Sequence, residues 1–239
     1  MWLREILKEN LGLTISEKQD AQFRAYYDFL VEYNKKTNLT RITDEKEAIY
    51  KHFYDSLLLT RSLDLLDIRS LCDMGSGAGF PGIPVKIAFP HIDLTLIDSL
   101  GKRVRFLDLL VDHLGLSNVE VVSGRIEIEA KKRQNAFDLV TARALGHTAL
   151  ILEMGLPMVK VRGSLVIMKG KSYREELDES RRAITVLGGI IRDIMRVELP
   201  EAYGTRVLIT VTKERHVPGY PRTYASMKKK PLPSGGNHG

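Results

Sequence analysis

Cysteine, long apolar runs and clustered histidines are all scarce in this 239-residue chain. The single cysteine, Cys72, excludes a disulfide within the chain, which favours a reducing, cytoplasmic location. No apolar run approaches the roughly 20 residues that cross a bilayer, and charged side chains interrupt the first apolar residues. We therefore expect no membrane span and no signal peptide. The six histidines are scattered and none has a ligand spacing, so we expect no metal site.

The composition is that of an ordinary globular protein with a basic balance. Hydrophobic residues make up 44% and charged residues 28%, and the formal net charge is +6. The length suits one α/β domain with an appendage, or two small domains. The positive charge weakly favours a polyanionic partner.

The most informative segment is a glycine-rich loop that follows a short apolar run ending at Met74. Its glycines are Gly75, Gly77, Gly79 and Gly82. Glycine has no Cβ, so backbone N–H groups in such a loop can approach a ligand closely. The residues after the loop have helical character, and a helix N-terminus adds a partial positive charge. The segment predicts a nucleotide-type site at the carboxyl end of a first strand.

The glycine spacing narrows the kind of nucleotide. A dinucleotide fingerprint needs glycine at position 80, which is Phe80. A phosphate loop ending in Gly170-Lys171-Ser172 needs glycine at position 165, which is Leu165. The spacing, with Asp73 before it, instead looks like the first motif of class I S-adenosylmethionine (SAM) methyltransferases. Asp98 lies 23 residues past the first glycine, near the offset at which a second-strand carboxylate holds a ribose.

Periodicity divides the chain into three parts. Residues 1–67 are expected to form a helical cap, with a capping box at Thr14 and Glu17 and a second helix beginning at Asp44. Residues 68–213 alternate short β-type runs with helical segments, which predicts parallel βαβ units. Residues 214–239 contain four prolines and a lysine run, and predict a basic, flexible tail.

The predicted fold class is α/β, with a mostly parallel seven-stranded sheet. Five β-type runs begin near residues 70, 93, 119, 137 and 164, with helical segments at 84–88, 102–114, 126–133 and 148–160. The last two runs, 190–197 and 206–211, are separated by a short connection around residues 199–204, which is too short for a parallel crossover, so these should form an antiparallel hairpin. This arrangement matches the class I SAM methyltransferase (Rossmann-like) sheet, although the pattern alone also permits a flavodoxin-like start.

Several motifs together resemble the RsmG (GidB) family of bacterial 16S rRNA methyltransferases, from about Tyr33 to Lys213. The most specific are the glycine loop with its Phe80-Pro81-Gly82-Ile83-Pro84 extension and the block Asp98-Ser99-Leu100-Gly101-Lys102-Arg103. Further matches lie at residues 33–40, 52–57, 141–144 and 168–170. The resemblance implies methylation of N7 of a guanine in the 530 loop of 16S ribosomal RNA, at position 527 in the usual numbering of that RNA. It also implies SAM as cofactor and 16S rRNA or a 30S subunit precursor as partner.

The resemblance also implies site residues. Cofactor contacts are expected at Asp73, Gly75, Gly77, Gly79, Phe80, Asp98, Arg125, Ile126, Glu127 and Arg143. Catalytic roles are expected for Arg143, Lys169 and Arg206. RNA contacts are expected at Lys102, Arg103, Lys169 and Arg206. His52 and Asp55 are expected to brace the cap against the sheet, or to line the target pocket.

The residues themselves favour some methylations over others. Attack by pyrimidine C5 needs a cysteine nucleophile, and Cys72 lies within the first strand. Exocyclic amine methylases carry a Pro-Pro motif after the fourth strand, where this chain has Thr141-Ala142-Arg143-Ala144. Guanine N7 carries no proton and needs no general base, so positioning suffices. A small-molecule methyltransferase and a non-catalytic RNA-binding protein stay open as alternatives, and a monomer is expected.

Overall fold

The computed structural model describes residues 2–232 and begins with a set of helices. They are α1 (Leu3–Leu11), α2 (Glu17–Thr37), α3 (Glu45–Ala48), a π-helical segment (Ile49–Tyr54), α4 (Asp55–Leu57) and α5 (Leu59–Ser62). The capping box of α2 is formed by Ser16 and Gln19, not by Thr14 and Glu17. The Ser16 hydroxyl accepts the Gln19 backbone N–H, and the Gln19 side-chain oxygen accepts the Ser16 backbone N–H. Glu17 is already the first helical residue. The predicted cap at Asp44 is confirmed, since its side chain accepts the Glu47 N–H.

The described residues form one seven-stranded sheet with the order β3-β2-β1-β4-β5-β7-β6. The strands are β1 (Ser70–Met74), β2 (Asp93–Asp98), β3 (Val119–Ser123), β4 (Phe137–Arg143), β5 (Val159–Lys169), β6 (Gly189–Glu198) and β7 (Thr205–Lys213). The first five strands are parallel, and β7 is antiparallel to both β5 and β6. This confirms the predicted mostly parallel sheet with its closing hairpin. Because β2 lies between β1 and β3, the flavodoxin-like order is excluded.

Helices cover both faces of the sheet. They are α6 (Gly82–Ala88), α7 (Gly101–His113), α8 (Ile126–Lys132), α9 (Thr148–Gly155), α10 (Arg174–Val186) and α11 (Tyr224–Lys229). The helix predicted over 148–160 ends at Gly155, because a short 3-10 turn containing Pro157 leads directly into β5. Helix α10 was not among the predicted segments, although its apolar residues follow a helical period.

The core has two halves, one on each face of the sheet. The N-terminal helices share one half with α6 and α7, and Phe23, Phe53 and Phe106 are fully buried there. The other half joins α8, α9 and α10 and contains Leu152 and Leu177. The N-terminal helices are therefore part of the sheet's own core. Within residues 2–232, no helix is long and apolar enough to cross a membrane.

The segment after β7 differs from the expected tail. Met227 of α11 is fully buried and Leu232 is 8% exposed, and both belong to the core half of α8 and α9. These two apolar side chains pack the segment against the core, which its proline content did not reveal. Residues 233–239 of the predicted tail lie outside the described residues.

Candidate active site

The glycine loop connects β1 to α6 and is tied to β2 by its backbone. Gly75, Gly77 and Gly79 have φ angles of 69°, 60° and 97°, which favour glycine. The N–H groups of Gly75 and Ser76 donate to the Ile97 carbonyl at 2.8 and 3.2 Å. The Gly77 N–H donates to Asp98 Oδ2 at 3.0 Å. The loop is thus fixed at the carboxyl ends of two adjacent strands.

Asp73 braces this loop from below. Its side chain is fully buried, and Oδ2 accepts the Gly82 N–H at 2.9 Å. A Cβ on Gly82 would lie 2.9 Å from the same oxygen, so glycine is required there. Burial raises the pKa of Asp73 to about 7. In the structure, Asp73 therefore fixes the loop through a backbone N–H group.

A cleft of about 510 Å³ opens above the loop, and we call it the cofactor cleft. Its lining residues are Gly75, Asp98, Ser99, Arg103, Arg125, Ile126, Glu127, Leu145, Met154 and Tyr224. The size lies within the range of small-molecule sites. Two carboxylates suited to hydroxyl donors, Asp98 and Glu127, face a space that also has apolar walls. These groups fit an adenosyl ligand, which presents a ribose diol and a flat apolar ring.

Asp98 is the best-connected group in the cleft. Its side chain is 3% exposed, with Oδ1 accepting the Leu100 N–H at 2.9 Å. Arg103 Nη1 approaches Oδ2 at 3.3 Å. Arg125, which also lines the cleft, donates from Nε to Glu127 Oε1 at 2.6 Å. The carboxylates predicted from the sequence therefore line one space.

Phe80 and Gly79 contact side chains of the N-terminal helices. The Phe80 ring is 5% exposed and stacks on Tyr26 and His52, with centroid distances of 5.1 and 4.3 Å. A Cβ on Gly79 would lie 2.6 Å from Tyr26 Oη, which donates to the Ala78 carbonyl. Neither residue lines the cleft. The Phe80 ring therefore packs among buried aromatic side chains, and the cofactor contact expected for this residue stays a prediction.

A second cavity of about 370 Å³ lies beside the cleft, and we call it the basic pocket. Its lining residues are Lys51, His52, Asp55, Arg143, Ala144, Met168, Lys169, Gly170 and Arg206. Arg143, expected at both catalysis and cofactor, lines this pocket and not the cleft. Ala144 lines the pocket and Leu145 lines the cleft, so the two spaces meet at the end of β4.

Asp55 organises the cations of the basic pocket. It is 1% exposed, and its Oδ2 accepts from Arg143 Nη1 at 3.0 Å and lies 3.1 Å from Arg206 Nε. Oδ1 has no hydrogen-bond partner within residues 2–232. Asp55 follows the π-helical segment directly, and π turns redirect side chains at functional sites. Asp55 thus braces the N-terminal helices against the strand ends and also lines the pocket, so both expected roles coincide.

His52 lies on the floor of the same pocket. It stacks on Phe80, and its Nε2 is 3.1 Å from Thr40 Oγ1. Burial, with the nearby Arg143 charge, lowers the pKa of His52 to about 3. The Arg143 guanidinium carbon lies 5.0 Å from the Phe80 ring centroid. A neutral imidazole and a phenyl ring therefore support the cation from beneath.

The other predicted cations occupy different places. Lys169 Nζ donates to Glu176 Oε2 and to the Gly146 carbonyl, both at 2.6 Å. Arg103 faces the cofactor cleft, and Lys102 Nζ donates to the Thr37 carbonyl at 3.1 Å. Only Lys169 and Arg206, among the four predicted RNA contacts, share the basic pocket. Glu176, which also accepts from Thr148, was not predicted, since nothing local marks it.

Residues 2–232 contain no group of three or more His, Cys, Asp or Glu side chains arranged for a metal ion. The site consists of a cleft that contains two carboxylates and of a pocket rich in cations, which meet at residues 144 and 145. A ligand with a ribose fits the first, and an anionic or electron-rich ligand fits the second.

Comparison with known proteins agrees with this geometry. The family model GidB, described as rRNA small subunit methyltransferase G, matches residues 19–202. A ribosomal RNA small subunit methyltransferase G from Acholeplasma laidlawii is 49% identical, covering 93% of this chain and 96% of the relative. The protein of the same description from Lactobacillus johnsonii is 46% identical, covering 92% and 95%.

Among solved structures, a SAM-dependent methyltransferase from Aquifex aeolicus superposes with a TM-score of 0.53 at 18% identity, covering 73% of this chain and 97% of that chain. At that identity the likeness shows the shared fold alone. The family model matches most of the chain, and the relatives are nearly half identical to it over more than nine-tenths of its length. The chain therefore belongs to the GidB (rRNA small subunit methyltransferase G) family.

Proposed function

We propose that this protein transfers the methyl group of SAM to N7 of a guanine in the 530 loop of 16S rRNA. One observation carries the proposal: the cofactor cleft and the basic pocket meet at Ala144 and Leu145. A methyl donor in the first and a base in the second would lie side by side. The relatives' description as small subunit rRNA methyltransferases supports an rRNA substrate.

The cleft residues would hold the cofactor. Gly75, Gly77 and Gly79 keep the loop backbone open, Asp98 faces the ribose, and Ile126 with Glu127 holds the adenosine end. Arg125 orients Glu127 through their 2.6 Å contact. When bound, SAM supplies an electrophilic methyl on a sulfonium. Asp73, through Gly82, keeps the loop in the shape that this binding needs.

The pocket residues would orient the base. Guanine N7 presents an in-plane lone pair, so alignment with the methyl group is the main requirement. The product ring is cationic, and a cation placed directly against N7 would oppose its formation. Arg143 is therefore assigned to O6, a phosphate or the pocket wall. Arg206 and Lys169 are assigned to phosphates, and Asp55 is a positioning residue that keeps both arginines in place.

The base must leave its stack to reach the pocket, at a cost of a few kcal/mol. Phosphate contacts by Lys102, Arg103, Lys169 and Arg206 would offset this cost and make RNA binding fall with added salt. Salt-sensitive RNA binding also separates this function from methylation of a small molecule. We also propose that a partly assembled 30S particle serves as substrate. The enzyme is proposed to be monomeric and to be located in the cytoplasm.

The division into a cap (1–67), a SAM-binding core (68–213) and a C-terminal segment (214–239) is also proposed. The shared core of the N-terminal helices supports a cap that does not fold separately.

The experiment is transfer of labelled methyl from SAM to 16S rRNA, presented free and as a 30S precursor. The modified atom is mapped by chemical cleavage at 7-methylguanine. We expect one cleavage, in the 530 loop. Label at another atom or loop would overturn the assignment, and RNA binding without any heat of SAM binding in calorimetry would favour a non-catalytic RNA-binding protein.

A further inference from the structure

The wall of the cofactor cleft includes a residue from the far end of the described chain. Tyr224, the first residue of α11, lines the cleft together with Arg125, Ile126 and Glu127. It lies beyond residues 19–202, the part that the family model matches. Its side chain is half-buried, so part of the ring faces the open cleft.

Two anchors on either side of Tyr224 hold it there. Arg222 makes a two-pronged contact with Glu153, Nε to Oε1 and Nη2 to Oε2, both at 2.7 Å. The Glu153 side chain is 2% exposed, and a buried bidentate pair of this kind fixes position as well as charge. On the other side, Met227 is fully buried in the core. Because Met154, the neighbour of Glu153, also lines the cleft, one helix connects the anchor to the site.

Arg125 links the ring to the carboxylate of the cleft. Its guanidinium carbon lies 5.1 Å from the Tyr224 ring centroid, while its Nε donates to Glu127. A cation over an aromatic face is attracted by the ring's quadrupole. Tyr224 therefore holds Arg125 from one side and Glu127 holds it from the other. Loss of the ring would release Arg125 and, with it, the orientation of Glu127.

We propose that Tyr224 is a cofactor-binding residue that forms the outer wall of the adenosine end of the cleft. The C-terminal segment is then part of the SAM site rather than an appendage. The adenosine end is indicated because Tyr224 lies against the residues that follow β3, whereas the end of β4 adjoins the basic pocket. The inference rests on the proposed use of SAM.

The test is calorimetric titration of the full chain with SAM and, separately, with 5′-methylthioadenosine, which lacks the amino-acid part. We expect Tyr224→Ala to weaken both ligands by about tenfold, since stacking or close ring contact with a base contributes about that much. Tyr224→Phe keeps the ring and should bind like the wild type. Lys229→Ala, an exposed change in the same helix, serves as the control.

Thermal melting of each variant checks the fold, which a half-buried ring at a helix start should not control. Equal affinity of Tyr224→Ala and the wild type for both ligands would overturn the inference. Weakening of SAM alone would place the ring at the amino-acid end and also overturn it. Absence of SAM binding in the wild-type protein would overturn the proposed function and the inference with it.

Discussion

The cofactor cleft and the basic pocket meet at the end of β4, but different contacts hold them together. At the base of the cleft, the carboxylates of the buried Asp73 and of Asp98 accept N–H groups of the glycine loop. In the pocket, the carboxylate of Asp55 accepts from guanidinium groups on two different strands, through Arg143 and Arg206. The base of the cleft thus depends on the backbone of one loop, and the pocket depends on three side chains that are far apart in the chain. The two regions should therefore respond to substitution in separable ways.

The largest effect is expected from Asp55→Ala, which breaks the pocket alone. Both arginines lose their shared buried partner, and removing one member of a buried ion pair costs about 3–5 kcal/mol. Urea denaturation should show that the free energy of unfolding falls by about 3 kcal/mol, the lower end of that range. The reason is that the side chains of Arg143 and Arg206 are 15% and 23% exposed. Methyl transfer should be lost, while SAM binding by the folded variant stays unchanged. Asp55→Asn, which keeps the shape, should lose less stability; unchanged stability in Asp55→Ala would refute the bracing role.

The next effect concerns the shape of one cation. Arg143→Lys keeps the charge but loses the planar guanidinium whose Nη1 donates to both Asp55 Oδ2 and the Lys51 carbonyl. Turnover should fall about 100-fold, equivalent to about 2.7 kcal/mol of barrier. SAM affinity should stay within about twofold, since Arg143 does not line the cleft. Steady-state kinetics and calorimetry measure both. Wild-type turnover in Arg143→Ala would contradict the role of Arg143 in orienting the base. A loss of SAM affinity that parallels the loss of turnover would show that Arg143 contacts the cofactor.

The matching change in the cleft is Asp98→Asn. Loss of the charge weakens the bonds to the loop and to a ribose, and a hydrogen bond to a charged group contributes about 1.5–3 kcal/mol. SAM affinity should fall at least about tenfold. RNA binding measured by filter retention should not change. Asp93→Asn, at the exposed opposite end of β2, is the control. If Asp98→Asn weakened RNA binding equally, the two regions would not be separable.

The smallest effect is a pair of opposite pH dependences. The pKa of Asp73 rises from 3.8 to about 7 on folding, so the folded protein holds a proton that the unfolded chain has released. The free energy of unfolding then falls as pH rises from about 4 to 7. The pKa of His52 falls from 6.5 to about 3, so the unfolded chain binds the extra proton. The free energy of unfolding therefore decreases through His52 as the pH falls from about 6.5 towards 3.

Urea denaturation between pH 4 and 7 separates the two slopes. Asp73→Asn should make the free energy of unfolding rise more steeply with pH than in the wild type. His52→Gln should make it rise less steeply or fall. Identical pH profiles in all three proteins would show that neither group changes its protonation on folding.

The two regions were also unequally visible in the sequence. The loop glycines and Asp98 followed from spacing, because a strand, a turn and a helix in succession bring them together locally. Arg143, Lys169 and Arg206 came from family resemblance, and their grouping around Asp55 did not follow from spacing. The aromatic stack of Phe80 did not follow from the sequence, since its partners Tyr26 and His52 lie far away in the chain. Glu176 carried no local signal, because Lys169 at the end of β5 and Thr148 at the start of α9 meet its carboxylate only once α10 has packed beside α9.

The sequence by itself determined the α/β class, the antiparallel hairpin that closes the sheet, and the glycine loop with its neighbouring carboxylate. These depend on period and backbone conformation, which are properties of contiguous residues. Only the tertiary structure decided that Asp55 joins two arginines, that the cleft and the pocket meet at residues 144 and 145, and that Tyr224 lines the cleft. Those contacts join residues that are 88 to 151 positions apart in the chain. Their geometry exists only after the sheet and its covering helices have packed.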